Sequence, residues 1–184
     1  MASFLNVQNQ ETRAAFVDQK LAMVEDGSWA LKDILVGAKF RVGVAPMPAG
    51  PKRRVTLATT DGFGIYSGTA HPEAAWELVK FLISKEYGLA MAEANFLQPA
   101  RASLVGNWID IIHRELPEQS KDVDLMAFAE GHVQGYSVVA EIFPKMEEAQ
   151  RLVRPAWEQI FTLGHDPVDS MKQISDQVEQ AQQK

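Results

Sequence analysis

Residues 71–84 read HPEAAWELVKFLIS, and the organisation of the whole chain can be worked out from this stretch. Pro72 suits the first position of a helix, where the backbone N–H that proline lacks would be unpaired in any case. Four apolar residues then fall on one face at helical spacing: Ala75, Leu78, Val79 and Leu82. Ser84 is a suitable N-cap for a second helix beginning at Lys85, so two consecutive helices are predicted.

Upstream of these helices the sequence alternates between helical and extended patterns. Helices are predicted over Glu11–Lys20 and Trp29–Val36, and short strands over Leu21–Val24, Phe40–Val44 and Val55–Thr60. The strand predictions rest on short apolar runs, β-branched residues and apolar residues at every second position. The first third of the chain therefore has the pattern of an α/β protein.

The second half of the chain is predicted to be almost entirely helical. Helices are expected over Leu104–Leu116, after Pro144 and from Asp166 onward, whereas Met126–Val139 is ambiguous. Pro155 is expected to kink or end the helix that follows Pro144. Three short strands leave many apolar helix faces without a sheet to cover them. We therefore predict an α/β, helix-rich fold with a small sheet, whose remaining strands lie upstream of this chain.

Composition excludes several classes of function. The formal net charge of −6 argues against a broad nucleic-acid surface, which needs clustered Lys and Arg. The absence of cysteine excludes disulfides, cysteine nucleophiles and cysteine-ligated zinc. The four histidines have no metal-ligand spacing, and no nucleophile elbow is present. No apolar run approaches the length that spans a bilayer. We expect no catalytic residues, no metal and no cofactor.

The aromatic residues are the more informative candidates. Four of them lie near turns or predicted element ends: Trp29, Phe63, Trp108 and Trp157. Such rings stack on the flat apolar faces of sugars, whose hydroxyls need hydrogen-bond partners such as Asp61 and Arg101. The residues alone leave two interpretations open, because the same rings can also belong to the core.

Five segments together carry a resemblance to a known family. They read AFVDQKLAMVEDGSWA at 15–30, FRVGVAPMPAG at 40–50, DGFGIYS at 61–67, HPEAAWELVKFLIS at 71–84 and PAR at 99–101. They resemble family 1 of the extracellular solute-binding proteins, the maltose-binding-protein-like components that capture sugars for ABC importers. Where the family usually has a glycine in the first segment, this chain has Asp18 or Gln19.

The resemblance implies a fold and a domain organisation. Family members have a type II periplasmic-binding-protein-like fold, with two lobes around a cleft, and are about twice as long as this chain. This chain would be the C-terminal half, with residues 1–62 and 115–184 in the second lobe. Residues 63–114 would be a crossing segment and helices that pack on the absent first lobe. Residues 1–9 lack the pattern of a secretion signal, so we expect an extracytoplasmic protein whose signal is absent from this chain.

The resemblance also implies a function and a binding site. The chain would bind a small polar solute, most readily a sugar, and deliver it to the membrane permease of an ABC transporter. Its ligand-binding residues would be Trp29, Asp61, Gly62, Phe63, Arg101 and Trp157. Two alternatives stay open, namely a polysaccharide-active hydrolase and a truncated lobe fragment with no binding of its own. Because the apolar face of residues 72–83 would lack its first-lobe partner, we favour a homodimer of the fragment over fold-back of that helix.

Overall fold

The computed structural model describes residues 11–59, 61–139 and 145–183. The chain forms two compact units, whose described residues are 13–59 and 61–139 in the larger one and 11–12 and 145–183 in the smaller one. The described helices and strands, in chain order, are α1 Thr12–Val17, α2 Leu31–Gly37, β1 Thr56–Ala58, α3 Pro72–Leu82, α4 Lys85–Asn95, α5 Val105–Glu115, α6 Pro117–Ser120, α7 Glu130–Val133, β2 Ser137–Val139, α8 Met146–Leu163 and α9 Pro167–Gln183. Short 3₁₀ turns occupy Ser28–Ala30, Ala102–Leu104 and Leu125–Phe128.

The sheet of the larger unit consists of two short parallel strands within the described residues. Thr56 of β1 pairs with Ser137 of β2, and the register continues to Ala58 and Val139. Gly131 makes this approach possible, since a Cβ at that position would lie 2.3 Å from Cγ2 of Thr56. β1 confirms the core of the strand predicted over 55–60, of which residue 60 lies outside the described residues. β2 lies in the stretch that the sequence left ambiguous.

Two of the predicted strands are wrong. Leu21–Val24 is irregular, and Met23 in it is 82% exposed. Phe40–Val44 is also not assigned to a sheet, although its burial alternates as predicted, with Val42 buried between exposed Arg41 and Gly43. The alternating apolar residues at 40–44 indicate only which side of this segment faces the core. A strand also requires a neighbouring backbone, and no described residue supplies one here.

The helix predictions are confirmed in their positions. Pro72 occupies the first turn of α3, and Ser84 caps α4, with its hydroxyl accepting a hydrogen bond from the backbone N–H of Tyr87 at 3.2 Å. The helices predicted over 11–20, 29–36 and 104–116 appear as α1, α2 and α5 with their preceding 3₁₀ turns.

The core of the larger unit is built around Trp108 on α5. Its side chain is fully buried, its Nε1–H donates to the carbonyl oxygen of Phe96 at 2.8 Å, and its ring meets Phe128 edge to face at 6.3 Å. The buried residues clustered with it are Phe16, Ala30, Leu31, Ile34, Leu35, Val42, Ala92, Phe96, Ile111, Ile112, Val123 and Leu125. Trp108 is therefore a core residue, which resolves one of the four aromatic candidates.

The smaller unit contains two helices that pack against each other, α8 and α9. Gly164 ends α8 in the left-handed conformation with φ +69°, which glycine adopts without strain. The carboxylate of Asp166 then caps α9 as predicted, accepting from the backbone N–H groups of Val168 and Asp169 at 2.9 and 3.0 Å. Pro155 does not end the helix, because α8 continues through it to Leu163. Pro144 lies outside the described residues.

The bond from Trp108 to Phe96 makes a stability test possible. Trp108→Phe removes the indole donor and leaves the buried carbonyl of Phe96 without this partner, so the free energy of unfolding should fall by about 1–3 kcal/mol. Urea unfolding followed by circular dichroism measures this loss. Trp76→Phe, at a half-exposed tryptophan of the same unit, is the control and should change stability by less than about 0.5 kcal/mol. Equal stability of the two variants would contradict a central role for Trp108.

Candidate functional site

The turn at Asp26–Trp29 presents an aromatic ring at the surface. Trp29 lies in the 3₁₀ turn Ser28–Ala30 and is 55% exposed. Its six-membered ring lies against the backbone of Gly27, where a Cβ would come within 2.1 Å of the ring. Glycine at 27 is therefore required for this ring position. The ring thus rests on Gly27 and remains about half exposed to solvent. A ring that stacks on a flat apolar ligand surface needs such an exposed face.

Arg13 of α1 holds this turn from both sides. Its Nε donates to the carboxylate of Asp26 at 3.0 Å, and its Nη1 donates to the carboxylate of Asp33 at 2.9 Å. The hydrogen bond to Asp26, assisted by the charges of Asp26 and Asp33, raises the pKa of Arg13 above its usual value. Asp26 also accepts from the backbone N–H of Gly27 at 2.8 Å. Trp29 is thus carried by a turn that an ion-pair network keeps in place.

Phe63 lines a second feature, an open groove of about 410 Å³ beside α3. The residues of this groove are Gly62, Phe63, Gly64, Ile65, Tyr66, Thr69, Ala75, Leu78, Val79 and Leu82. Phe63 is 47% exposed and meets the ring of Tyr87 edge to face at 6.3 Å. The groove therefore brings together Gly62 and Phe63 of the predicted site with the helix of residues 72–82.

The groove is almost entirely apolar. None of its lining residues is charged, and its polar side chains are the hydroxyls of Tyr66 and Thr69. The Thr69 hydroxyl accepts a hydrogen bond from the backbone N–H of His71 at 3.2 Å. A sugar site needs several convergent polar groups, so this groove by itself supplies a stacking ring and few hydrogen-bond partners. Asp61, which is exposed and adjacent to Gly62, would have to contribute from its edge.

Arg101 caps the end of α3. Its Nε and Nη2 donate to the carbonyl oxygen of Ile83 at 3.2 and 3.0 Å. Carbonyl groups in the last turn of a helix lack intrahelical partners, and a cation there also complements the helix dipole. The structure therefore gives this predicted ligand-binding residue a structural contact, and two of its guanidinium N–H groups are engaged in it.

Trp157 lies in the smaller unit, on α8. It is 52% exposed and packs edge to face with Phe161, one helical turn onward, at 5.5 Å. Neither Trp157 nor Trp29 lines the groove beside α3. The prediction that Trp29 and Phe63 share one cleft stays a prediction, as does the ligand-facing role of Trp157.

The part of the chain that the structure describes contains neither a metal-binding cluster nor a membrane-spanning helix. There, no group of three or more His, Asp or Glu side chains is arranged to hold a metal ion. No helix in residues 11–59, 61–139 and 145–183 combines the length and hydropathy that a bilayer crossing requires.

The sequence analysis missed the supporting residues of the Trp29 turn. The sequence analysis assigned no role to Arg13, Asp26 and Asp33, because their convergence depends on how α1 and α2 pack. A signal did exist in the Gly27-Ser28 pair before Trp29, since a glycine immediately before an aromatic turn indicates close approach of ring and backbone.

Comparison with known proteins supports the family resemblance over the first half of the chain. Residues 1–89 match the model of the family described as bacterial extracellular solute-binding protein. The matched residues include the Trp29 turn, Gly62, Phe63 and all of α3, whereas Arg101 and Trp157 lie beyond them. No curated protein matches the chain. The family indicates an extracellular solute-binding role, and its members in general are not enzymes.

The contact between Arg101 and Ile83 predicts a measurable stability effect. Arg101→Ala removes both hydrogen bonds to the carbonyl at the end of α3, so the free energy of unfolding should fall by about 0.5–1.5 kcal/mol. Arg53→Ala is the matched control, because Arg53 is an exposed arginine outside the helices and strands. Chemical denaturation of both variants checks this, and an undiminished stability of Arg101→Ala would show that the contact contributes nothing.

Proposed function

We propose that this chain is the C-terminal part of the substrate-binding component of an ABC importer, and that it captures a small polar solute, preferably a sugar. The match of residues 1–89 to the solute-binding family is the observation that carries this proposal. Its partners are the solute and the membrane permease, and its location is extracytoplasmic. A second copy of the chain is a further proposed partner.

The proposed fold is that of a type II periplasmic binding protein. Residues 1–62 and 115–184 belong to the second lobe in this proposal, and residues 63–114 form the crossing segment with helices that a first lobe covers when it is present. The absence of any buried residue on α3 supports this division, since an apolar helix is normally covered on at least one side. The helix-rich structure with its small parallel sheet is compatible with such a fragment.

The mechanism is capture by two lobes that close around the ligand. Trp29 supplies a stacking surface, and the clamp of Arg13 on Asp26 and Asp33 keeps that surface in place before the ligand arrives. A ring that is fixed in advance loses little conformational freedom on binding, so more of its contact energy appears as affinity. In the proposal, Asp61 and the remaining N–H groups of Arg101 bond sugar hydroxyls, and Phe63 and Trp157 offer further rings.

Substitution of Trp29 tests the binding site. In the intact gene product, Trp29→Ala should weaken binding of its sugar by about 1–3 kcal/mol, because the stacked ring is lost. That loss corresponds to a dissociation constant raised roughly 5- to 150-fold in calorimetry. Met23→Ala is the control, as Met23 is 82% exposed and is not one of the proposed ligand-binding residues. Equal affinities of Trp29→Ala and the unaltered protein would refute the assignment.

Hydrolysis assays separate the proposal from its enzymatic rival. A glycosidase needs two carboxylates about 5–9.5 Å apart in its cleft, and none of the groove residues beside α3 carries a carboxylate. We therefore expect no release of chromophore from aryl glycosides above the rate without protein. Turnover that disappears on changing one carboxylate would replace solute capture by catalysis as the function.

A further inference from the structure

The contact between Gly27 and Trp29 is made through the face of the indole ring. A Cβ built on Gly27 would lie 2.1, 2.3 and 2.4 Å from Cζ3, Cη2 and Cε3 of Trp29. These three atoms are adjacent in the six-membered ring, and their distances from the Cβ are nearly equal. The Cβ would therefore lie above the face of the ring and not beside its edge. In glycine a hydrogen atom takes this place and points at the ring face.

The backbone of Gly27 is held on both sides of its Cα. Its N–H donates to the carboxylate of Asp26 at 2.8 Å, and its carbonyl oxygen accepts from the backbone N–H of Ala30 at 3.0 Å. Ala30 is fully buried, and the Asp26 carboxylate also accepts from Nε of Arg13 at 3.0 Å. The backbone at position 27 is thus tied to the core and to α1, so a side chain introduced there would displace the ring and not the backbone.

The requirement for glycine comes from the ring and not from the backbone conformation. Gly27 has φ −99° and ψ 174°, which is extended backbone that any residue adopts. Alanine at this position therefore meets no backbone strain, and its methyl group would clash with the ring of Trp29. A substitution at Gly27 thus alters the position of this ring while it leaves the indole itself in place.

Gly27 leaves Trp29 with one ring face for a ligand. An aromatic ring can stack through either of its two faces, and the backbone of Gly27 occupies one face of the six-membered ring. The side chain is nevertheless 55% exposed, so the opposite face is the one that a flat ligand can reach.

The support of Trp29 differs in kind from that of the other two exposed rings of the predicted site. Phe63 and Trp157 each meet another aromatic side chain edge to face. A side chain can change its rotamer, whereas the backbone of Gly27 is held by hydrogen bonds at both its N–H and its carbonyl group. Trp29 is therefore the ring whose position before ligand binding is set by backbone, and such preorganisation increases affinity.

We propose that Gly27 is the positioning residue of the solute site, and that it makes Trp29 a one-sided stacking surface. This inference rests on the proposed capture of a solute through Trp29 and specifies how that ring is presented. The ligand class that fits has one flat apolar C–H face for the ring and polar groups around its rim, as a pyranose sugar has. Gly27 acts on affinity through the ring and makes no ligand contact of its own.

NMR spectroscopy of the intact gene product tests the contact without any solute. A proton that points at a ring face experiences the ring current, so one Hα resonance of Gly27 should lie upfield of the usual glycine range. Its loss in Gly27→Ala assigns the resonance, and Trp29→Ala should return it to the usual range. An unshifted Gly27 resonance in the unaltered protein would overturn the proposal.

Calorimetry with glucose and maltose tests the consequence for binding. Gly27→Ala should raise the dissociation constant of the sugar that binds by roughly 5- to 50-fold, because the displaced ring no longer presents its open face. Gly43→Ala is the matched control, since Gly43 is exposed and a Cβ there meets no atom within 4 Å, and it should bind like the unaltered protein. Circular dichroism verifies that each variant is folded.

The double variant separates a positioning role from a general structural one. If Gly27 acts through the ring, Gly27→Ala should change the dissociation constant by less than about 2-fold once Trp29→Ala has removed that ring. A full additional loss in the double variant would contradict the positioning role, and so would a Gly27→Ala variant that binds like the unaltered protein. If neither sugar binds the unaltered protein, the proposed sugar capture is wrong, whereas the ring-current shift still decides the Gly27 contact.

Discussion

The burial of Trp108 is the interaction on which the larger unit depends. Its ring packs edge to face on Phe128 of the 3₁₀ turn Leu125–Phe128, and its Nε1–H donates to the carbonyl of Phe96, the residue that ends α4 in a left-handed conformation. Phe96 in turn is buried, and Lys32 of α2 lies over its ring and donates to the neighbouring Ala94 carbonyl. The buried indole therefore joins α5 to the end of α4, and Lys32 joins α2 to the same point.

The core also determines the position of the turn that carries Trp29. α2 begins directly after the 3₁₀ turn that carries Trp29, and Leu31 and Leu35 of α2 are almost fully buried. The core thus fixes the position of the turn, while Arg13 fixes its shape through two carboxylates. A ring in such a setting can be half exposed and still ordered. This combination distinguishes Trp29 from Trp157, which is also half exposed and has Phe161 as its ring contact.

Helix α3 lies outside the core of the larger unit, and its apolar side chains are therefore exposed. Leu89 on α4 packs against the buried cluster, but no residue of α3 belongs to that cluster or packs against it. The apolar face predicted from residues 71–84 is real, yet the tertiary structure leaves it open within the described residues. An open apolar surface beside a well-packed core points to a partner, and the proposals of a first lobe and of a second copy both start from this fact.

The sequence by itself determined the elements whose causes are local. Pro72, Ser84 and Asp166 start their helices through backbone geometry and side-chain caps, and the alternation at 40–44 is matched by a buried Val42 between exposed neighbours. The family resemblance, too, was readable from short segments. Only the tertiary structure decided what depends on distant partners, because hydrogen bonds between strands and ion pairs between helices join residues far apart in sequence.

The strand pair of β1 and β2 and the convergence of Arg13, Asp26 and Asp33 arise in this way. For the same reason Trp108 is core while Trp29 is surface, although both occur near element ends in the sequence. Burial is a property of the assembled core, and the buried residues clustered with Trp108 come from segments between Phe16 and Leu125 of the sequence. The pattern of apolar residues near a tryptophan in the sequence does not predict which distant residues will pack around its ring.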